Sequence, residues 1–180
     1  SATVSQTITV QDTTPPTIGA AGPSATIECT GTPSFAAPTA SDGCGLVTVN
    51  LISDATAAGG CTSGNALTRM WDAVDACGNH SATVSQVISI VDTTPPTIGP
   101  AGADATIECT ATPNFTAPTA TDACVIPSVN NLGDITSANG CTTTITRSWD
   151  AVDICGNHSA TVSQTITIVD TTPPTIGTAG

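Results

Sequence analysis

Apolar and polar residues alternate along several short segments of this chain, and glycine, proline or asparagine bounds each segment. In Ser81–Ile90 the apolar residues Val84, Ile88 and Ile90 fall on one side of an extended strand, and serine and threonine fall on the other. No segment shows helical periodicity of useful length. The pattern predicts an all-β fold with roughly six or seven short strands in each half of the chain.

The strongest regularity is a repeated block, which reads SATVSQTITVQDTTPPTIG at the start of the chain. Close copies begin at Ser81 and Ser159, so the repeat length is about 80 residues. The first half of the block alternates like a strand. The second half contains two consecutive prolines, which fix φ and cannot donate ladder hydrogen bonds, so we expect a stiff connector. We call these connectors, Asp12–Pro16, Asp92–Pro96 and Asp170–Pro174, the joints.

The repeats divide the chain into two complete modules. We predict module 1 over residues 13–92 and module 2 over residues 93–170. Residues 1–12 are then the last strand of a preceding repeat, and residues 171–180 are the start of a following one. The simplest explanation is a window cut from a longer polypeptide. The number and spacing of the strands predict tandem immunoglobulin-like antiparallel β-sandwich modules, joined by Pro-Pro linkers.

Composition narrows the functional classes. The net charge is -12, and Arg69 and Arg147 are the only lysine or arginine residues. Binding to nucleic acid requires a basic face, so nucleic acid is excluded as a natural partner. No stretch approaches the apolar length of a membrane span, so we expect no membrane insertion in this segment. The surface is instead rich in threonine, serine, alanine and glycine.

Eight cysteines, four at equivalent positions in each module, indicate disulfides. Small extracellular domains commonly compensate for a small core with disulfides of about 2–5 kcal/mol each, which predicts a secreted or cell-surface location. Zinc is the weaker alternative, because no CxxC motif occurs. Each module permits three connectivities, and strand direction favours pairs at the same end of a module. The predicted bonds join Cys29 with Cys61, Cys44 with Cys77, Cys109 with Cys141, and Cys124 with Cys155.

Aspartates recur at the turns and joints of both modules, where calcium is one candidate ligand. Calcium needs six to eight oxygen ligands, and carboxylates at one end of a module supply some of them. The alternative is that each aspartate accepts hydrogen bonds from nearby backbone in an Asx turn. The candidate calcium sets are Asp12, Asp42 and Asp75 in module 1, and Asp92, Asp122 and Asp153 in module 2.

Two short patterns predict glycosylation. The N-x-Ser/Thr rule selects Asn79, Asn157 and Asn114, of which the first two follow a Cys-Gly turn that we expect to be an exposed hairpin tip. The Asp-Thr-Thr start of each joint is similar to an Asp-Ser/Thr-x signal for O-glycosylation used by Bacteroidota. That signal selects Thr13, Thr93 and Thr171.

Three strings resemble a known family of repeats. TATDAC at Thr119–Cys124, TRSWDAVDICGN at Thr146–Asn157 and VDTTPPTI at Val91–Ile98 resemble hyalin-repeat (HYR-like) immunoglobulin-type modules, which occur in tandem in secreted adhesins and gliding filaments of Bacteroidota. The resemblance covers both modules. It implies an extracellular β-sandwich repeat with a structural or adhesive role and no catalysis.

We therefore expect a structural or adhesive protein that forms or decorates a surface fibre, with neighbouring repeats or copies of itself as partners. A glycan- or protein-binding adhesin module is one alternative, with Ser53–Gly60 and Asn130–Asn139 as binding loops. A donor-strand filament subunit is another, in which Ser1–Val10 completes a neighbouring sheet. An enzyme is not expected. The histidines His80 and His158 follow the Cys-Gly-Asn turns and lack a nucleophile partner, because the nearby cysteines are better explained by disulfides.

Overall fold

The structure is a computed structural model that describes residues 1–57 and 65–177. Within these ranges the chain is all-β and contains no helix, which confirms the predicted class. The chain divides into two compact units, Ser1–Val91 and Asp92–Gly180. The boundary predicted from the repeats, between residues 92 and 93, lies one residue later in the sequence. No helix long and apolar enough to cross a membrane is present in the described part of the chain.

Each unit contains six strands in the described ranges, at matching positions of the repeat. Alternating apolar residues and terminal glycine, proline or asparagine define most of them. Module 1 consists of β1 (Thr17–Ile18), β2 (Ala25–Glu28), β3 (Ala40–Ser41), β4 (Val47–Ala57), β5 (Asn65–Asp75) and β6 (Val84–Val91). Module 2 consists of β7 (Thr97–Ile98), β8 (Ala105–Glu108), β9 (Ala120–Thr121), β10 (Ser128–Asn139), β11 (Thr142–Val152) and β12 (Val162–Val169).

Four strands of each module form one sheet, and two short strands form a separate ladder. The sheet orders are β2-β6-β5-β4 and β8-β12-β11-β10, and the ladders are β1-β3 and β7-β9. The prediction of a wholly antiparallel sheet is wrong, because β2 pairs with β6, and β8 with β12, in parallel. Three strands separate the members of each parallel pair along the chain, so no hairpin imposes an antiparallel direction on them.

The core lies on the inner face of the four-stranded sheet. Trp71 and Ala73 of β5 are 4% and 0% exposed, and Ile88 of β6 is 1% exposed. Their counterparts Trp149, Ala151 and Ile166 are equally buried. Ile88 lies on the side predicted to be apolar, so the period-two alternation located the core face of β6.

Three predicted segments have a different structure. The alternation over residues 35–40 predicts a weak strand interrupted by Pro38, but only Ala40 of these residues lies in a strand, β3, and Pro38 is buried. The predicted binding loop Ser53–Gly60 begins as the end of β4, and its residues 58–60 lie outside the described range. The predicted binding loop Asn130–Asn139 lies wholly within β10. Pairing with the neighbouring strands β5 and β11 extends these polar segments as strand.

The first eleven residues form no strand in this chain, and their assignment to a preceding repeat stays a prediction. Val4, Ile8 and Val10 are 94%, 78% and 92% exposed. The same nine letters, SATVSQTIT, recur at residues 159–167, where β12 lies between β11 and β8. A strand sequence needs neighbouring strands to complete its hydrogen bonds and bury its apolar face.

Candidate functional site

The turn after β11 binds the joint that precedes module 2. Asn157 Nδ2 donates to the backbone carbonyl of Asp92 at 3.1 Å and to Asp153 Oδ2 at 2.9 Å. Gly156 in this turn has a φ of 85°, a left-handed conformation that glycine adopts without steric cost. Asp92 and Asp153 are 7% and 5% exposed. The turn thus holds the first residue of the joint in a buried, hydrogen-bonded position.

Module 1 repeats this arrangement with its own preceding joint. Asn79 Nδ2 donates to the carbonyl of Asp12 at 3.3 Å and to Asp75 Oδ2 at 2.8 Å. Gly78 has a φ of 87°. The same contact occurs at the same position of both repeats, so it belongs to the structure of the module.

The prolines of the joints are packed as part of the module that follows them. Pro16 and Pro96, the second proline of each pair, are buried, while Pro15 and Pro95 are exposed. Each buried proline is followed directly by the first strand, β1 or β7. A fixed φ and a buried ring together restrain the backbone between the joint and that strand.

The joint and turn aspartates make the hydrogen bonds of Asx turns. The backbone N–H two residues later donates to Oδ1 of Asp12 at 3.0 Å, of Asp42 at 2.7 Å and of Asp92 at 3.1 Å. Asp75 Oδ1 accepts from Cys77 N at 2.8 Å and from Asn79 N at 2.9 Å. In these turns Oδ1 of each aspartate accepts local backbone hydrogen bonds, which is the Asx-turn alternative to a metal site.

The predicted calcium sets converge only in part. Asp12 and Asp42 approach each other beside Cys44, and Asp92 and Asp153 approach each other beside Cys155, with ligand atoms within 4.8 Å in each group. Neither group contains the third predicted carboxylate, Asp75 or Asp122. Two carboxylates with a sulfur atom fit calcium poorly, since this ion takes six to eight oxygen ligands. Calcium at these positions stays a prediction.

The lowered pKa values of the turn aspartates have local causes. The side chain of Asn79 donates to Asp75 and lowers its pKa, with further help from backbone N–H groups and against the effect of burial. Burial acts to raise the pKa of Asp153, but hydrogen bonds from Asn157 and the neighbouring backbone lower it overall. Both carboxyl groups are therefore held in their charged form by the turn itself.

The cysteines differ from the predicted pairing. Cys44, Cys77, Cys109 and Cys141 are exposed free thiols, so the predicted bonds Cys44–Cys77 and Cys109–Cys141 are not formed in this structure. The order of the strands explains why Cys109 and Cys141 do not form a bond. Cys109 follows β8 and Cys141 precedes β11, and β12 lies between these strands. Two inter-strand spacings amount to about 10 Å, beyond the roughly 7 Å that a disulfide spans.

The remaining cysteines are oxidised where the structure describes them. Cys29, Cys124 and Cys155 are disulfide-bonded. Cys61 lies outside the described residues, so the predicted Cys29–Cys61 bond is not tested. The pKa of the Cys44 thiol is raised, chiefly by the negative charge of Asp12, then by burial, and to a lesser extent by Asp42 and the Cys77 thiol. Cys77 contributes least to this shift, and the placement of Cys44 and Cys77 at one end of module 1 stays a prediction.

The predicted glycosylation sites differ in accessibility. Thr13, Thr93 and Asn114 are exposed. Asn79 and Asn157 are only half exposed, and each uses its Nδ2 group for two hydrogen bonds. A sugar on Nδ2 leaves a single N–H, so it would break one of these bonds. Thr171 is exposed, but its hydroxyl donates to Glu108.

A buried glutamine in each module is a structural residue that sequence reasoning missed. Gln164 Oε1 accepts from the backbone N–H of Thr116 at 2.9 Å, and its Nε2 donates to the carbonyl of Ala103 at 2.8 Å. Gln86 makes the equivalent bonds to Ala36 and Pro23. A polar residue at an inward position of the last strand was the available signal in the sequence.

The two arginines stabilise their modules, as expected for an arginine beside a tryptophan on a strand. Arg147 makes a bidentate pair with Asp134 of the neighbouring strand, at 2.6 and 2.8 Å, and its guanidinium lies 4.3 Å from the ring centre of Phe115. Arg69 has the same stacking contact with Phe35 and one bond to Asp54 at 2.6 Å. The pairs cross β4–β5 and β10–β11.

Each histidine forms a polar cluster with an aspartate of the central strand. His158 Nδ1 lies 2.8 Å from Asp150 Oδ2, and Asn130 donates to Oδ1 of the same carboxylate at 3.1 Å. These two hydrogen bonds, that with His158 first, lower the pKa of Asp150. His80 and Asp72 repeat the pair at 2.7 Å. The contacts join the turn to the sheet and supply no nucleophile.

Comparisons with known proteins give only remote likeness. No protein-family model matches the chain, and no curated protein matches it. The crystal structure of Drosophila N-cadherin EC1-3 is 13% identical with a TM-score of 0.31, over 87% of this chain and 68% of that one. The crystal structure of human mucin-like protocadherin EC1-2 is 9% identical with a TM-score of 0.34, over 86% of this chain and 98% of that one. Likeness this weak supports no statement about function, so the proposals below rest on contacts within the chain.

Proposed function

We propose that this chain is an extracellular structural protein of tandem immunoglobulin-like β-sandwich modules, which forms or decorates a surface fibre with an adhesive role. The observation that carries the proposal is that each module hydrogen-bonds to its preceding joint and buries one proline of it. In module 2, Asn157 binds the Asp92 carbonyl and Pro96 is buried. A joint that is packed into a module resists bending, which a stalk or fibre requires. Module 1 binds its own joint through the same contacts.

Uncharged threonine side chains lie on the outer face of the module 2 sheet, which supports a location outside the cell. Thr144 and Thr146 of β11 lie opposite Thr167 and Thr165 of β12, so hydroxyl groups stand side by side on neighbouring strands. The hydroxyls of Thr146 and Thr165 are 3.1 Å apart. A surface of this kind has few lysine or arginine side chains for proteases to recognise, which suits a protein outside the cell.

A ligand-binding adhesin module is less well supported. The segments expected to be recognition loops are partly or wholly strand, in β4 and β10. The chain has only four aromatic residues. Trp71 and Trp149 are buried, and Phe35 and Phe115 are half-buried beneath arginines. None of these four aromatic rings therefore offers a free face on which a sugar ring could stack, as happens in many glycan-binding sites.

A donor-strand filament subunit is the second candidate. The observation that favours it is the exposure of Ser1–Val10, whose nine-letter match in module 2 forms a buried strand. Against it, each module already contains its own sixth strand, β6 or β12. An acceptor sheet that lacks this strand is not found in the described part of the chain.

Immunogold electron microscopy of the native cells, with antibodies raised against the folded chain, tests the proposal. We expect label along extended fibres outside the cell envelope. Label confined to the cytoplasm would overturn it. Binding of one defined glycan by the purified chain, with label scattered over the surface, would favour the adhesin module instead.

A further inference from the structure

We propose that Glu108 sets the direction in which the chain leaves module 2, because it anchors the first threonine of the outgoing joint. Glu108 ends β8, and it pairs in parallel with Val169, which ends β12. The joint that begins at Asp170 therefore starts beside the Glu108 side chain. The inference concerns the joints of the proposed fibre, but it rests only on contacts inside module 2.

Both carboxylate oxygens of Glu108 accept hydrogen bonds from one residue. The backbone N–H of Thr171 donates to Oε2 at 3.3 Å, and the Thr171 hydroxyl donates to Oε1. Asp170 adds an Asx turn, in which Oδ1 accepts from Thr172 N at 3.0 Å. Bonds to a charged acceptor are stronger than bonds between neutral groups, and two of them fix both position and orientation. The first turn of the outgoing joint is thus tied to the sheet, although residues 170–177 are exposed.

The entry and exit of module 2 are therefore controlled by different side chains. Asn157 and the buried Pro96 hold the incoming joint, and Glu108 holds the outgoing one. The proline pair limits the backbone angles of the joint, and Glu108 determines where the joint points.

This contact also bears on modification of the joint. A sugar on Thr171 Oγ1 would replace the hydroxyl hydrogen that forms the hydrogen bond to Glu108. The ether oxygen of the glycoside can only accept hydrogen bonds, so it would face the carboxylate without a donor. O-glycosylation of Thr171 would therefore remove the hydroxyl half of the anchor and leave the backbone N–H of Thr171 as the remaining donor to Glu108.

Backbone ¹⁵N relaxation of the whole chain tests the anchor. In the parent chain we expect order parameters near 0.85 at Thr171 and Thr172, as in rigid backbone. Glu108→Ala should lower them to below about 0.6. Thr171→Val, which removes only the hydroxyl, should cause a smaller loss, and Thr171→Ser should restore the parent values.

Glu28→Ala is the matched control, since Glu28 occupies the same position of module 1 and should leave residues 171–176 unchanged. The indole resonance of the buried Trp149 reports whether module 2 stays folded in each variant. Equal order parameters at Thr171 in the parent, Glu108→Ala and Thr171→Val chains would overturn the anchor. That result would leave the proposed fibre untouched, whereas a cytoplasmic location would reject the fibre and leave the anchor in place.

Discussion

At the scale of single residues, hydrogen bonds to a few polar side chains determine how each module meets its joints. Asn157 satisfies the Asp92 carbonyl and the Asp153 carboxylate together. The residue types at these positions are visible in the sequence. Their partners are not, because Asn157 and Asp92 are 65 positions apart in the chain.

The cluster of Asp150, His158 and Asn130 predicts a pH-dependent loss of stability. The pKa of Asp150 lies below its usual value of 3.8, chiefly because of the His158 hydrogen bond. A carboxylate with a lowered folded-state pKa stabilises the protein above its unfolded-state pKa, and this contribution disappears as pH falls through the folded-state value. Asp150→Asn should therefore be less stable than the parent at neutral pH, and the difference should shrink as pH falls through the lowered folded-state pKa of Asp150.

Denaturant unfolding at a series of pH values measures this difference. Asp104→Asn is a suitable control, because the amide oxygen can still accept the Thr165 N–H that Asp104 binds at 2.7 Å. A difference between Asp150→Asn and the parent that stays constant from neutral pH to about pH 2 would contradict the linkage.

The free thiols predict selective oxidation. The Cys77 thiol contributes to the raised pKa of Cys44, whereas β12 separates Cys109 from Cys141. Mild oxidation of the native chain should therefore join Cys44 to Cys77 and leave Cys109 and Cys141 reactive to alkylating reagents. A non-reducing peptide map checks the products. A Cys109–Cys141 peptide formed from the native chain would show that the strand order at this end is different.

At the scale of elements, the last strand of each module connects the sheet to two loops. Gln164 of β12 binds Thr116 and Ala103, which are 48 and 61 positions away in sequence. Gly102 lies so close that an added Cβ would be 2.8 Å from the Gln164 side chain. A larger residue at Gly102 would therefore displace the Gln164 amide from the two backbone groups that it binds.

Gln164→Ala should destabilise module 2 by about 1–3 kcal/mol for each of the two backbone groups that it leaves without a partner. Gln86→Ala should have a similar effect in module 1. Ser163→Ala, an exposed neighbour on the same strand, should change the free energy of unfolding by less than about 0.5 kcal/mol. Equilibrium denaturant unfolding measures all three. Parent-like stability of both glutamine variants would show that water replaces the lost bonds.

At the scale of the whole molecule, the chain consists of two similar units. Each unit has its own core and its own hydrogen bonds to the joint that precedes it. In the Asx turns at the joints, Oδ1 of Asp12 and Oδ1 of Asp92 each accept a backbone hydrogen bond. The joints are therefore restrained by the chain itself, through a fixed proline φ, buried rings and hydrogen bonds.

Removal of calcium should consequently leave thermal stability unchanged. Calcium present at a free concentration of 100 times its Kd would add about 2.7 kcal/mol of stability, which a calorimetric scan detects readily. We expect equal melting temperatures in excess calcium and in excess chelator, with magnesium as the control ion. A rise in melting temperature with calcium alone would favour the predicted sites around Asp12 and Asp92.

The sequence predicted the regular parts of the fold because those parts depend on local patterns. The repeat located the modules, and period-two alternation located the core face of β6, on which Ile88 is buried. The parallel pairing of β2 with β6 escaped prediction, because hydrogen-bond direction between distant strands leaves no local pattern. The anchors Gln164 and Glu108 escaped for a related reason, since each acts on a partner more than forty positions away.

The block SATVSQTIT separates what the sequence determines from what the tertiary structure decides. Its alternation and composition make it competent to form a strand at every occurrence. At residues 159–167 it contributes to β12, and Ile166 is 2% exposed between two neighbouring strands. At residues 1–9 the same letters form no strand, and Ile8 is 78% exposed. The sequence by itself determined the propensity, and only the neighbouring strands, which complete the hydrogen bonds and bury the apolar face, decided the structure.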